Sequence, residues 1–240
     1  MVKLALLSVI LAAANAFSYD ACLKKADRHP DEALEMAMNA LGEGDDASAE
    51  HCAAVALVGL KQYGEAARRL DVLARKASAG GAEVRSQLLS QAGNAWLLAG
   101  QPELAQASFT AALALMPGEA DYLIDRARAS AQLKKWAAAE SDLSSALVSE
   151  PGNVQALVLR SSARRAQKNL QGAMGDVTQA LLLEPNNVEA LAERGLLRAA
   201  QGDKAGARKD FLAVLERAPE SEAAASARIE IEKLEVKKTR

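Results

Sequence analysis

Side chains that often carry nucleophilic or metal chemistry are scarce in this chain of 240 residues. Cysteine and histidine together occur four times, as Cys22, His29, His51 and Cys52. His29 precedes a proline, and His51 adjoins Cys52 in an alanine-rich stretch. A metal site built from Cys22, His51 and Cys52 is an alternative, but it would have three ligands where structural zinc takes four. The sequence therefore predicts neither a metal site nor a bound cofactor.

Motifs that position catalytic residues in known enzyme classes are also missing. The chain has no G-x-S-x-G elbow, no H-E-x-x-H helix and no Walker-type phosphate loop. Gly42 and Gly44 stop short of a dinucleotide-binding fingerprint because residue 47 is alanine. The carboxylates are scattered at helical spacing, without a pair placed for acid–base catalysis. We therefore predict a non-enzymatic protein with no catalytic residues, and an enzyme with an unrecognised site is a remote alternative.

The first sixteen residues have the pattern of an export signal. Lys3 is followed by an apolar stretch that is too short to span a bilayer. Ala14 and Ala16 are the small residues that a signal peptidase recognises, which predicts cleavage after Ala16. A buried N-terminal helix is the alternative, but the single charge at one end favours a signal. We expect a periplasmic or secreted protein with no membrane-spanning segment after cleavage.

Export determines how the two cysteines are interpreted. In an oxidising compartment a cysteine pair is more often a disulfide than a redox or metal site. Cys22 and Cys52 also lack the C-x-x-C spacing of a redox dithiol. Acylation of Cys22, as in a lipoprotein, is disfavoured because the charged Asp20 stands where such signals have small apolar residues. We predict a Cys22–Cys52 disulfide.

Composition restricts both the fold class and the partners. Alanine is the most common residue and aromatic residues make up only 3% of the chain, which favours closely packed helices over sheet. There are 29 basic and 31 acidic residues, a net charge of -2, and no long run of one sign. Such a chain lacks the basic field typical of nucleic-acid binding. We expect an all-α protein that does not bind nucleic acid.

Four prolines recur at one constant interval. They are Pro117, Pro151, Pro185 and Pro219, and each closes a stretch with helical periodicity. This period of about 34 residues, with a proline at the end of each unit, resembles the tetratricopeptide repeat family. The resemblance implies a right-handed α-solenoid of stacked antiparallel helix pairs, in which each pair buries its apolar faces against its neighbours.

The same resemblance divides the chain into units. The signal peptide at 1–16 is followed by a degenerate helical hairpin at 17–46, a repeat-like unit at 47–80 and a linker at 81–85. Four regular repeats follow at 86–119, 120–153, 154–187 and 188–221, and 222–240 is expected to form a C-terminal capping helix. Gly118, Gly152 and Asn186 tolerate a left-handed backbone, which favours tight turns between repeats.

Two equivalent positions of these repeats are occupied by residues of opposite size, one always small and the other larger. The small column in the first helix is Gly93, Ala127, Ser161 and Gly195, and the large column in the second helix is Phe109, Leu143, Val177 and Phe211. Two helices approach closely only where one side chain is small, and one large residue per repeat fills the remaining space. The columns therefore predict where the helices of each pair cross.

Arginine and aspartate occupy a further pair of columns. Arg126, Arg160 and Arg194 share the seventh position of their repeats, and Asp142, Asp176 and Asp210 share the twenty-third. In the repeat 86–119 both are absent, and Ala92 and Ser108 stand in their places. Joint occurrence predicts bidentate ion pairs that support packing. An arginine row that binds a ligand is the alternative.

The resemblance also implies which surface binds a partner. First helices of successive repeats line a concave groove that suits a helix or an extended peptide. The polar residues expected there are Gln87, Asn94, Asp121, Arg128, Gln155, Ser162 and Arg165. Asn94 and Arg128 hold the same position in adjacent repeats, so we expect them to lie together and bind a peptide carbonyl or carboxylate. Alternatively, Arg128 only pairs with Asp121 or Asp125.

These features suggest a functional class. We interpret the chain as a scaffold or adaptor of the bacterial cell envelope that binds a protein or peptide in the groove and is itself a monomer. The alanine-rich, aromatic-poor composition favours a bacterial source. The alternative is a structural subunit that self-associates through its convex face or capping helix during envelope assembly.

Overall fold

The structure is a computed structural model that describes residues 17–44, 47–76 and 80–236. Thirteen α-helices and no β-strand occur in these segments. The predicted signal peptide, with its cleavage site after Ala16, lies outside the described residues. None of the described helices combines the length and the apolar character needed to cross a bilayer.

The helices are arranged as successive antiparallel pairs. The first hairpins are α1 (Tyr19–Arg28) with α2 (Pro30–Glu43) and α3 (Ala47–Gly59) with α4 (Tyr63–Arg75). The regular pairs are α5 (Ala82–Leu98) with α6 (Pro102–Leu115), α7 (Ala120–Gln132) with α8 (Trp136–Ser149), α9 (Val154–Ala166) with α10 (Leu170–Leu183), and α11 (Val188–Ala200) with α12 (Lys204–Arg217). The last helix of the described residues is α13 (Glu222–Val236). The predicted all-α solenoid of stacked helix pairs is confirmed.

Helix stacking determines which helices lie on the inside of the curve. Each helix packs against its partner and against the next pair, and the first helices α5, α7, α9 and α11 also contact one another in order. Closer approach on that side bends the stack toward the first helices. The first helices therefore form the concave face, and the second helices form the convex face.

The core consists mainly of alanine and leucine, with one large residue from each second helix. Phe109 and Phe211 are fully buried, and so are the small residues Ala105 and Ala207 at the starts of the same helices. Small side chains let the helix axes approach, while each phenylalanine fills the space that remains. This arrangement explains how a chain with few aromatic residues forms a continuous core.

Left-handed backbone occurs mainly in a different turn from the one we expected. Of Gly118, Gly152 and Asn186, only Gly118 has a positive φ, of 82°. A positive φ recurs instead between the two helices of every pair from α3–α4 onward, at Lys61, Gly100, Lys134, Lys168 and Gly202. The backbone N–H of Lys134 donates to the carbonyl of Ala131, as the equivalent residues of the other pairs do. Closing the hairpin, rather than joining repeats, thus requires the left-handed residue.

The segment 81–85, predicted as a linker, is largely helical. Gly81 precedes α5, and Ala82 is its first residue, so α5 has 17 residues instead of the 13 of the other regular first helices. Alanine, glutamate and arginine favour helix at this point. The Arg85 Nε also donates to the Ala74 carbonyl at 2.7 Å, which holds the added turn against the end of α4.

Candidate functional site

Each predicted arginine–aspartate pair forms within its own repeat. Arg126 donates to both carboxylate oxygens of Asp142, from Nε at 2.8 Å and from Nη2 at 2.7 Å. The equivalent pairs are Arg160 with Asp176 and Arg194 with Asp210, each with distances of 3.0 and 2.7 Å. The aspartates are buried, and the hydrogen bonds to Asp142 raise the pKa of the Arg126 guanidinium. These pairs tie the first helix of a repeat to the second.

A second arginine column was missed in the sequence. Arg164 and Arg198 occupy the same position in adjacent repeats, and each donates from Nη1 to the aspartate of its repeat, Asp176 or Asp210, at 2.8 Å. Arg164 also donates from Nε to Glu140 of the preceding repeat at 2.8 Å. That hydrogen bond lowers the pKa of Glu140. The signal was the recurrence of arginine one helical turn after Arg160 and Arg194.

The repeat that lacks the arginine–aspartate pair has a different polar contact in its place. Asp71 of the preceding hairpin accepts from the Trp96 indole N–H at 2.8 Å and from the Ser108 hydroxyl at 2.9 Å. Ser108 stands where the other repeats have aspartate, and Ala92 where they have arginine. A carboxylate thus remains at this interface, but it comes from the neighbouring repeat.

The two groove residues expected to be neighbours are joined through a third. Asn94 Nδ2 donates to one oxygen of Asp125 at 3.1 Å, and Arg128 Nη1 donates to the other at 2.8 Å. The alternative in which Arg128 pairs with Asp125 is therefore the one in the structure. Because Asp125 already compensates the cation, Arg128 is a weaker candidate for binding a carboxylate than its position suggested.

Arg165 is likewise already paired in the groove. It donates to both carboxylate oxygens of Glu193 on the next first helix, at 2.7 and 3.0 Å, and Glu193 is only 6% exposed. Its Nη2 also lies 3.5 Å from the Ser162 hydroxyl. A bidentate bond to a buried carboxylate holds α9 to α11. The side chain predicted to contact a partner thus connects two repeats.

The concave face contains a cavity of about 760 Å³ between α7, α9 and α11. Val154, Val158 and Leu159 form its apolar part, and two predicted groove residues, Arg128 and Gln155, also line it. Glu184 and Glu189 contribute carboxylates. Among the described residues, Glu189 and the predicted groove residue Asp121 make no ion pair. The uncompensated charge along this part of the groove is therefore negative.

The N-terminal hairpin is covalently attached to the next one. A disulfide joins Cys22 of α1 to Cys52 of α3, with the Cα atoms 6.2 Å apart and both side chains fully buried. His51 is engaged elsewhere: Nδ1 lies 2.5 Å from the Tyr19 hydroxyl, and Nε2 lies 2.7 Å from Gln91 Oε1. The alternative metal site at these cysteines is therefore wrong, since both sulfurs are bonded to each other. In the described part of the chain, no cluster of three or more His, Cys, Asp or Glu side chains is placed to hold a metal.

Comparisons with known proteins agree with the repeat architecture. A tetratricopeptide repeat family model matches residues 159–232. The structure of MamA residues 41 to the end from Desulfovibrio magneticus RS-1 is 20% identical, with a TM-score of 0.63 over 75% of this chain and 98% of that one. YrrB, whose structure is described as a TPR protein with an unusual peptide-binding site, is 17% identical, with a TM-score of 0.59 over 81% of this chain and 98% of that one. A search of curated protein sequences finds no significant match. The family match, the constant proline period and the solenoid fold together identify the chain as a tetratricopeptide repeat protein.

Proposed function

We propose that the chain is a non-enzymatic scaffold that binds a segment of another protein on its concave face, between α7, α9 and α11. The observation that carries this proposal is the cavity of about 760 Å³, in which Val154, Val158 and Leu159 adjoin polar side chains. Cavities that combine apolar surface with a few polar groups are typical of binding sites. The cavity crosses three repeats, so an elongated occupant suits it better than a compact one.

Charge indicates the chemistry of the partner. Arg128 and Arg165 are both compensated by carboxylates of the protein itself. Glu184 and Glu189 line the cavity, and Asp121 belongs to the first helix α7 on the same face. A segment with lysine or arginine beside apolar side chains would therefore be attracted, whereas a C-terminal carboxylate would be repelled. This replaces the expectation that Asn94 and Arg128 bind a carboxylate.

The proposed location is the bacterial cell envelope. Residues 1–16 have the pattern of an export signal, and the Cys22–Cys52 disulfide suits an oxidising compartment.

YrrB has the same fold and an unusual peptide-binding site, which supports a peptide-binding function for this chain.

Affinity capture from an envelope extract, followed by binding measurements with the captured partner, tests the proposal. Changing Glu184 and Glu189 together to lysine should weaken binding at least tenfold, because it reverses the charge of the cavity. Glu216→Lys is the matched control, since its side chain is 82% exposed on the second helix α12. Equal losses in the two variants would exclude the concave cavity as the binding site.

A second candidate function is self-assembly, which a pair of convex-face residues favours. Val148 of α8 and Leu182 of α10 are 82% and 78% exposed, and they occupy equivalent positions in adjacent repeats. Exposed apolar side chains in neighbouring repeats often mark an interface. Light scattering of the protein and of a Val148→Lys, Leu182→Lys variant tests this candidate: a wild-type monomer at micromolar concentration excludes it, and a wild-type oligomer that the variant dissociates supports it.

A further inference from the structure

The concave face has a second cavity, at its N-terminal end, that the proposed partner site does not include. It measures about 380 Å³ and lies among α1, α3, α4 and α5. Its apolar lining includes the buried Leu73 and Leu88, with the 44% exposed Val84 beside them. The first helices α3 and α5 approach each other less closely than α5 and α7 do. Relative to the constant repeat period, the chain has extra residues between α4 and α5, next to this wider spacing of α3 and α5.

Three side chains from three first helices form a hydrogen-bonded chain along this cavity. The Tyr19 hydroxyl of α1 contacts His51 Nδ1 of α3, and His51 Nε2 contacts Gln91 Oε1 of α5. Gln91 Oε1 is an acceptor, so His51 Nε2 donates to it. The Gln91 amide group and the Gln87 side chain, one turn away, then have donors to offer an occupant.

The charge of this cavity differs from that of the groove farther along. None of the described side chains that line it is an acid, a lysine or an arginine. The cavity between α7, α9 and α11 contains Arg128, Glu184 and Glu189. An ion that enters the N-terminal cavity would lose water without gaining an opposite charge, which is unfavourable. An uncharged occupant with an apolar body and a hydrogen-bonding group suits the lining.

The disulfide holds one wall of this cavity in place. Cys22 follows Tyr19 by one helical turn on α1, and its partner Cys52 is the neighbour of His51 on α3. The bond therefore keeps the Tyr19 ring close to the His51 ring, with the ring centroids 5.8 Å apart. Without it, α1 is held to the rest of the solenoid only by packing and by polar contacts such as the Tyr19–His51 hydrogen bond and the Lys25–Glu32 ion pair, at the end of the helix stack where fraying is common.

We propose that this cavity, the Tyr19 pocket, binds one uncharged side chain, with an apolar body and a hydroxyl or amide group, of the segment that the concave face holds, and that it is formed fully only when Cys22 and Cys52 are bonded. The inference rests on the proposed function and adds a specificity-determining subsite to it. The pocket recognises the apolar body of this side chain by its aliphatic wall, and it recognises the hydroxyl or amide group by Gln87 and Gln91.

Blocked amino acids test the pocket without knowledge of the natural partner. N-acetyl-tyrosinamide is titrated into the oxidised chain while the methyl signals of Val84 and Ala47 are followed by NMR, with N-acetyl-lysinamide as the charged probe. We expect saturable shifts with the tyrosine amide at millimolar concentration, and binding at least tenfold weaker with the lysine amide. Equal binding of the two amides, or no saturable shift with either, would overturn the proposal.

Two variants locate the site and test the role of the disulfide. Val84→Glu should reduce the affinity for the tyrosine amide at least fivefold, while Val72→Glu, on α4 and 54% exposed, should leave it unchanged. Replacing Cys22 and Cys52 with serine should also reduce it at least fivefold. Unchanged affinity in Val84→Glu would exclude the pocket, and unchanged affinity in the double serine variant would exclude the dependence on the disulfide. The Val84 and Val72 variants keep the pocket testable if the serine variant does not fold.

A peptide identifies the source of the occupant. N-acetyl-Ala-Ala-Tyr-Ala-Ala-amide should bind more tightly than the tyrosine amide if the occupant belongs to a bound protein segment. Weaker binding of the peptide would assign the pocket to a free small molecule and overturn that part of the proposal. None of these measurements uses the cavity between α7, α9 and α11, so failure of the pocket and failure of the proposed partner site give different results.

Discussion

The ring of Phe109 fills the space beside Gly93 that a β-carbon would need. A Cβ placed on Gly93 would lie 2.5 Å from Phe109 Cε1, and one on Gly195 would lie 2.5 Å from Phe211 Cε1. In the repeats between them, the equivalent residues are Ala127 with Leu143 and Ser161 with Val177, all of them buried. Where the large residue is a phenylalanine the small one is glycine, so the combined volume at each helix crossing stays nearly constant.

Gly93→Ala should therefore lower the free energy of unfolding, by up to about 2 kcal/mol. Alanine gains about 1 kcal/mol of helix propensity over glycine, but overpacking against a rigid ring costs about 1 to 3 kcal/mol or more. Gly175 in α10 is the matched control, because a Cβ there meets nothing within 4 Å. Gly175→Ala should stabilise by about 0.5 to 1 kcal/mol. Urea denaturation measures both, and stabilisation by both substitutions would show that Phe109 moves aside without cost.

Replacing Phe109 with a smaller side chain should rescue the overpacked Gly93→Ala variant. Phe109→Leu alone leaves a space beside Gly93 and should cost about 1 to 2 kcal/mol. Combined with Gly93→Ala it recreates the pair of Ala127 and Leu143, so the double variant should be more stable than the sum of the single effects predicts. Additive effects in a double-mutant cycle would contradict the volume relationship.

The constant interval between the prolines predicted the stack of helix pairs, because repeats within one sequence can be aligned and their equivalent positions compared. The same comparison indicated the partners Arg160 and Asp176, which always occur together. It could not indicate the role of Asp71. This carboxylate lies in one repeat and takes the place of the arginine–aspartate pair that the next repeat lacks, and no other repeat has an equivalent aspartate. Arg165 and Glu193 each occur once at their positions, so nothing in the sequence showed that the predicted groove arginine is compensated.

Lys134→Gly should stabilise the fold by about 0.5 to 1 kcal/mol. Lys134 has a φ of 58°, a conformation that costs a residue with a Cβ about 1 to 2 kcal/mol, partly offset by the greater flexibility of glycine in the unfolded chain. Glycine already occupies the equivalent positions 100 and 202. Lys134→Ala is the control, because it removes the charge and keeps the Cβ. The glycine variant should melt at a higher temperature than the alanine variant, and equal melting temperatures would argue against backbone strain.

Loss of the disulfide should destabilise the N-terminal hairpin first. On the chain-entropy view, a disulfide that closes a loop of 30 residues contributes about 3 to 4 kcal/mol to the free energy of unfolding. Apart from the disulfide, α1 is held mainly by its contacts with α2 and α3. Replacing Cys22 and Cys52 with serine should increase hydrogen exchange in α1, while α9 and α10 keep their protection. Uniform loss of protection along the solenoid would contradict this local effect. A thiol assay on denatured, unreduced protein should find almost no free thiol.

Asp176→Asn should cost more stability than Asp142→Asn. Asp176 accepts from two arginines, Arg160 and Arg164, whereas Asp142 accepts from one arginine, Arg126, among the residues that the structure describes. Removing the carboxylate charge leaves Arg126 or Arg160 without an opposite charge in a largely buried place, at a cost of about 1 to 3 kcal/mol. The cost should be at the upper end for Asp176, because Arg164 also loses a charged partner there and keeps only Glu140. Denaturant unfolding compares them, and equal costs would show that the second arginine adds nothing.

The effect of Glu140 on stability should depend on pH in the acid range. The hydrogen bond from Arg164 at 2.8 Å, and a second from Gln167 at 2.7 Å, lower the pKa of Glu140 below its ordinary value of 4.5. A carboxylate whose pKa is lowered by folding stabilises the protein fully above its unfolded pKa, and that stabilisation is lost as the pH falls through the folded pKa.

Glu140→Gln should therefore reduce stability by about 0.5 to 1 kcal/mol at pH 7, since the ion pair is partly exposed. The difference from the wild type should stay constant down to about pH 5 and shrink below the ordinary pKa of 4.5. In an Arg164→Met background the same substitution should have a smaller effect at pH 7 and less change with pH, because the largest cause of the lowered pKa is gone. An effect of Glu140→Gln that is the same at pH 3 and pH 7 would show that its carboxylate does not stabilise the fold through Arg164.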